Sequence, residues 1–261
     1  MSSDRPGAEW RSADAYADLL LCDRRFFAWE WLRRSPAYRH GWRERDRLRS
    51  EVPTKMGLIA WIDPAIPAPR ARPIWNVSID PSVLDARPAP QTIAREGAND
   101  SFDILAVARH VTVTVEVTAQ AEHWLLSDGH WAIRLDLHDG TLLGGPLLIE
   151  HRLTGLRALE PRLTALRQLA ELAQRGDLPA SLMPRERRAA QWILELRIAD
   201  ALLEGASQQD MARRLFGDAV AADRWRLEST AYRLRIQRLV RRARAGLADP
   251  LAGPWFDRGA R

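Results

Sequence analysis

Cysteine is all but missing from this chain of 261 residues. Cys22 stands alone, so no intramolecular disulfide can form and a thiolate zinc site is disfavoured. Lysine is equally scarce: of 39 basic side chains only Lys55 is lysine. That skew is what a GC-rich genome produces, so arginine alone is no sign of phosphate binding. No apolar run of about 18 residues occurs, the length a membrane-spanning helix needs. The opening M-S-S-D-R-P-G has no apolar stretch like that of a secretion signal, so a cytoplasmic protein is expected. A nucleophile elbow, a phosphate-cradling glycine loop and an acidic pair with an obvious cleft are also lacking. Catalysis has no motif to rest on, the chain is expected not to be an enzyme, and no cofactor is expected.

The net charge of +5 is unevenly spread. Residues 1–50 hold 11 basic and 8 acidic side chains, residues 51–184 hold 12 and 16, and residues 185–261 hold 16 and 10. Positive charge therefore gathers at the C-terminal end, as a polyanion partner requires.

The stretch at 199–247 gives that charge a scaffold. Leu202 and Leu203 close a first helix, and Gly205 ends it. Ser207 is a good N-cap, with Asp210 three residues on as an acidic variant of the capping box. Met211, Ala212 and Leu215 share one face of a short helix that Gly217 breaks. After a link, a longer helix starts at Ser229 or earlier and stops near Gly246. Eight arginines and one acid, Glu228, lie between Arg224 and Arg244. A short capped helix followed by an arginine-rich one reads as a helix-turn-helix for a DNA groove. Tyr232, Ile236, Leu239, Val240, Ala243 and Leu247 form the apolar side of the long helix. Leu227, Ala231 and Leu234 sit nearly opposite and suggest packing on two sides. The expected DNA contacts are Ser207, Gln208, Arg213 and Arg214 on the short helix. On the long one they are Ser229, Thr230, Arg233, Arg235, Gln237, Arg238, Arg241, Arg242 and Arg244. Ser229, Thr230, Arg233 and Gln237 would face bases while several arginines meet phosphates. The bland alternative is a solvated charged helix.

The rest of the chain reads as an α+β protein in four parts. Residues 1–50 form a small helical module, with a helix over 24–34 that Pro36 ends. Trp10, Phe26, Phe27, Trp29 and Trp31 would form its core, or else a surface gripping a partner. Residues 51–100 are a proline-rich connecting segment holding eight of the sixteen prolines, with short strands possible at 57–62 and 75–79. Residues 101–150 form a small antiparallel β-meander, with strands at 110–118, 123–127, 130–137 and 142–149 and Asp-Gly turns at 128–129 and 139–140. Trp131, Ile133, Leu135 and Leu137 are its packed face; His130, Ala132, Arg134 and Asp136 are its polar face. The histidines gathered here lack zinc-ligand spacing, so no metal is expected. Residues 151–255 form the helical DNA-binding domain, with helices at 161–175 and 185–204 ahead of the pair described above.

F-A-W-E-W-L-R-R-S-P-A-Y-R near the start resembles the signature of rhizobial transcriptional regulator-like proteins. L-R-I-A-D-A-L-L-E-G-A-S-Q-Q-D-M-A-R-R-L-F-G resembles the helix-turn-helix domain that accompanies it. Such two-part proteins include activators of excision genes on integrative and conjugative elements, mobile genetic elements. The resemblance implies a DNA-binding transcriptional regulator, an activator that reads the major groove of double-stranded DNA with the helix around 227–246. Residues 1–50 would contact RNA polymerase or a partner or antiactivator protein. The alternative is a protein-interaction module, an antiactivator that sequesters a related regulator without binding DNA. No membrane partner is expected, and nothing in the residues sets the oligomeric state.

Overall fold

The computed structural model of the chain describes residues 9–47, 51–90, 100–156, 159–217 and 230–256. The order of elements is a 3-10 segment at Asp14–Leu21, then α1 (Arg24–Leu32), α2 (Pro36–Arg43), α3 (Glu51–Lys55), α4 (Ala68–Ala71), β1 (Leu84–Pro88), α5 (Ile104–Val107), β2 (Thr112–Val117), β3 (Glu122–Ser127) and β4 (Ala132–Leu137). A 3-10 turn at Leu142–Gly144 follows, then β5 (Ile149–Arg152), α6 (Leu159–Arg175), α7 (Ala189–Leu203), α8 (Gln208–Phe216) and α9 (Thr230–Ala248). The fold is α+β, with helices at both ends and a five-stranded sheet between them. No helix among the described residues is long and apolar enough to cross a membrane.

The chain divides into two compact units. The first joins both ends of the sequence: Met1–Asp46, Ile62–Ala71 and Arg185–Trp255. Asp23 caps α1 by accepting from Arg25 N, and Pro36 ends the turn after α1 by opening α2 at its first position. The aromatics of the N-terminal motif are core, not surface: Trp10, Phe26, Phe27, Trp29 and Trp31 are all buried. Trp192 of α7 meets Phe27 edge-on at 5.1 Å and Trp255 at 4.9 Å between ring centroids. α7 starts at Ala189, four residues later than the expected 185. The Glu186 carboxylate accepts from Arg188 N and its carbonyl from Ala189 N, which holds that stretch as a turn.

The second unit holds Arg47–Trp61, Arg72–Pro184 and Phe256–Arg261. Its sheet runs β2-β3-β4-β1-β5. β2, β3 and β4 make the expected antiparallel meander, with Asp128-Gly129 turning between β3 and β4. Two strands extend it. β1 joins β4 in parallel, and β5 joins β1 antiparallel. The expected hairpin at 139–140 therefore does not close, because β1 lies between the strands it would have joined. The expected strand at 142–149 is instead a 3-10 turn, capped by Thr141 Oγ1 accepting from Leu143 N, with only Ile149 entering β5. The expected strands at 57–62 and 75–79 shrink to one bridge between Leu58 and Trp75.

Trp124, Leu126, Ile133, Leu135 and Leu137 pack one sheet face against Ala165, Leu169 and Leu172 of α6. The other face of β4 carries the expected polar residues, and Arg134 and Asp136 are buried there. Arg134 donates to the Trp75 and Trp124 carbonyls and to Asp136 Oδ1, the last at 2.8 Å. Trp75 of the proline-rich segment meets this face, and main-chain oxygens satisfy the buried guanidinium.

Candidate nucleic-acid interface

The helices proposed for DNA are held in unit 1 by local signals that work as read. Gly205 takes φ 78° after α7, a left-handed conformation that glycine adopts without strain. Ser207 caps α8: its Oγ accepts from Asp210 N at 3.1 Å and donates to Asp210 Oδ2 at 2.6 Å. Met211 and Ala212 turn inward, and Gly217 is the C-cap. Ser207→Ala is expected to lower stability by about 1 kcal/mol, measured as a shift in the urea midpoint at constant slope; an unchanged midpoint would discard the cap.

α9 buries Ile236, Leu239, Val240 and Ala243 on one side. Leu234 is 47% exposed and Ala231 is exposed, so among the described residues the helix is packed on one side only, not two. The opposite side is correspondingly broad. The helix ends at Ala248, two residues beyond Gly246 and near the expected stop. A Cβ on Gly246 would lie 2.8 Å from the Trp31 ring, so glycine is there to let α9 approach the N-terminal aromatics. Gly246→Val is expected to destabilise by about 1–3 kcal/mol through overpacking. Thermal unfolding beside Gly144→Ala, where an added Cβ meets nothing closer than 3.9 Å, would check it; a loss at 246 no larger than at 144 would deny the close approach.

The expected DNA residues divide by environment. Gln208 and Arg213 on α8 and Gln237, Arg238, Arg241 and Arg244 on α9 are exposed. At 3.6 residues per turn, Arg238 and Arg241 lie nearest the centre of the side facing away from the buried stripe. Arg233 is half-buried. Arg235 rests over the Phe216 ring at 4.6 Å, and Arg242 Nη1 pairs with Glu195 Oε1 at 3.0 Å. Arg214 Nε donates to the Arg11 carbonyl at 2.9 Å, and Ser207 is engaged as the cap. Thr230 opens α9, while Ser229 lies outside the described residues, as does Leu227.

The charged letters of the N-terminal motif have a role their sequence did not disclose. Arg34 Nε and Nη2 donate to Asp200 Oδ1 and Oδ2 of α7 at 2.7 and 2.8 Å, and Tyr16 donates to Oδ2 at 2.6 Å. Glu30 accepts from Arg34, from Arg33 Nε at 2.9 Å and from Ala68 N at 2.8 Å. Arg33 Nη1 also reaches the Pro64 carbonyl at 2.7 Å. Arg34 is only 1% exposed. This buried network clamps α1 to α7, which in turn packs on α9. Helical spacing reveals Glu30–Arg34 as a pair, but not its burial or its distant partner Asp200.

Burial alone would raise the Glu30 carboxyl, but the Arg34 and Arg33 charges and the hydrogen bonds from Arg34 and Ala68 N outweigh it and hold it at about 2. Burial and the neighbouring Asp200 push the Tyr16 hydroxyl far above the usual phenol range, so it stays a donor. A depressed carboxylate pKa gives stability that is complete above the ordinary value of about 4.5 and is lost as pH falls through about 2. Urea unfolding between neutral pH and pH 2 should show that loss, and Glu30→Gln should flatten it. A variant with the same acid limb as the parent would refute the assignment.

One arrangement in unit 2 has the outline of a catalytic relay. His123 Nδ1 lies 2.7 Å from Asp136 Oδ1, and its Nε2 lies 3.1 Å from Thr118 Oγ1. However, Thr118 Oγ1 also accepts from Gln120 N and Ala121 N, each at 3.3 Å, and donates to the Ala121 carbonyl at 3.1 Å. Those bonds lock the turn between β2 and β3 and occupy the oxygen a nucleophile would need free. A hollow of about 520 Å³ beside β1 and β5 holds polar groups that meet within it: Arg87 pairs with Glu150 at 2.8 Å, and His138 Nε2 lies 3.4 Å from Asp85 Oδ1. Among the described residues no group of three or more histidine, cysteine or acidic side chains is placed to hold a metal.

Residues 9–61 match the model of the proteobacterial transcriptional regulator-like domain. Residues 152–248 match that of the T6SS transcription factor DNA-binding domain. No curated protein matches the chain. The N-terminal match contains the aromatic motif and its buried charges, and the C-terminal match contains the capped α8 and the arginine side of α9. The chain thus carries a proteobacterial transcriptional regulator-like domain followed by a transcription-factor DNA-binding domain, the two-part architecture of a DNA-binding regulator.

Proposed function

We propose that this chain is a sequence-specific activator of transcription that lays α9 in the major groove of double-stranded DNA, with α8 and α9 as the two helices of a helix-turn-helix. The observation that carries this reading is the exposed side of α9. Gln237, Arg238, Arg241 and Arg244 project from it, turned away from the stripe that packs the helix onto its unit. Arg235 and Arg242, held by Phe216 and Glu195, flank that side as fixed cations suited to phosphates. Gln237, Arg238 and Arg241 are the candidates for base edges. Function by binding rather than catalysis, without a cofactor, in the cytoplasm and on the nucleoid, belongs to the same proposal. So does service to a mobile genetic element, which rests on the resemblance of the N-terminal motif. Contact with RNA polymerase or a partner regulator through residues 1–50 would use the outside of that module, where Leu20 and Leu21 are exposed.

The deciding experiment is capture of sheared genomic DNA by the purified chain at two salt concentrations, followed by sequencing. Enrichment of a few promoter-proximal fragments that survives the higher salt is the expected result. Uniform binding erased by salt would reduce the interface to an electrostatic surface. No enrichment even at low salt would overturn the proposal in favour of a protein-sequestering module.

A further inference from the structure

Among the described residues, β2 ends the sheet with one side unpaired. Its inner side pairs with β3 from Thr112↔Ser127 to Val117↔Glu122. Thr118 N donates to the Ala121 carbonyl at 3.0 Å just beyond that run. Bonding direction alternates along an antiparallel strand. Thr112, Thr114 and Glu116 therefore turn their main-chain groups toward β3, and Val113, Val115 and Val117 turn theirs to the open edge. No described residue bonds those outward groups. The edge also lacks the usual protections: it has no proline, no lysine and no bulge, and its single charge is Glu116.

We propose that β2 is the contact through which two copies of this chain pair, antiparallel, about a two-fold axis at Val115. A two-fold normal to the sheet keeps each face on its own side, so residues that meet must belong to the same face. Centred on Val115, the pairing sets Val113 against Val117 and Val115 against its own copy. Every outward main-chain group is then used, in about six hydrogen bonds. Thr114 meets Glu116, so no like charges oppose. Val117, 71% exposed in one copy, is covered by Val113 of the other and joins the row in which Val113 and Val115 already pack on the core. A register centred on Thr114 would instead set Val117 against Val111, whose N–H is already given to the Val107 carbonyl. This self-matching of residues, faces and charge is what selects a second copy as the occupant. The pairing does not depend on the DNA-binding reading, and either can fail alone.

The test is sedimentation equilibrium of the full chain without DNA, with a mass of twice 29.6 kDa expected. Val115→Pro removes an outward N–H but none that bonds β3, and Val117→Lys places a charge on the edge. Both should be monomeric with unchanged circular dichroism, and if the proline variant misfolds the lysine variant carries the test. Mixing Thr114→Cys with Glu116→Cys chains should give a mixed disulfide under mild oxidation, because such a pair lies about 4.5 Å apart at Cα. Cys22, being buried, does not compete. A monomeric parent, or a dimer that survives in either folded variant, overturns the pairing. Cross-linking of Thr114→Cys with itself as readily as with its mate overturns the register.

Discussion

Asp200→Ala is expected to cost about 3–5 kcal/mol of stability, the largest effect of any single exposed or buried substitution considered for this chain. The carboxylate answers the Arg34 guanidinium through two hydrogen bonds and also accepts from Tyr16. Its removal takes away the acceptor shared by Arg34 Nε and Nη2, on a side chain that is 1% exposed, and leaves Glu30 as the remaining counter-charge. Water cannot replace the lost carboxylate at a buried guanidinium, so two of its N–H groups lose their acceptor. Urea unfolding read by tryptophan fluorescence should show the midpoint falling sharply. The double replacement Arg34→Met with Asp200→Leu should cost less than Asp200→Ala alone, because it removes the charge along with its partner. A loss below about 1 kcal/mol for Asp200→Ala would mean the network is not closed to solvent as described.

Arg238→Ala combined with Arg241→Ala is expected to weaken DNA binding by about 2–4 kcal/mol while leaving stability within about 0.5 kcal/mol of the parent. Both side chains lie on the exposed side of α9, so neither contributes to packing. If both meet phosphates, the slope of log affinity against log salt should fall by about 2, equally for every sequence. If one reads a base, affinity for the preferred site should fall further than affinity for unrelated DNA. Titration of site and non-site duplexes at several salt concentrations separates these outcomes. Unchanged affinity for both duplexes would remove α9 as the reading helix.

The helical parts were legible because their signals are local. Ser207 and Asp210, Gly205, Pro36 and the apolar stripe of α9 act within a few residues, so periodicity and capping chemistry placed them. The strands of the meander were legible for the same reason, since alternation and the Asp128-Gly129 turn need no distant partner. β1 was not: L-D-A-R-P offers five residues, one of them proline, and becomes a strand only between β4 and β5. Gly246 lies near the end of α9 as read, but its reason for being glycine, room for Trp31, was not legible.

Of the candidate interface, sequence identified the arginines but not their partners. Arg235 over Phe216, Arg242 on Glu195 and Arg214 on the Arg11 carbonyl all depend on contacts between elements. The sequence by itself settled the class of the chain, an arginine-rich helical end behind a short capped helix and a strand-rich middle, because charge composition and short-range periodicity are properties of neighbours along the chain. Tertiary structure alone decided which charges are buried and which are free. Glu30, Arg34, Asp200 and Arg134 look in sequence like any solvated pair or exposed strand position. They become structural only because folding removes water from them and brings in a counter-charge or carbonyl from a remote segment, and no local pattern encodes that juxtaposition.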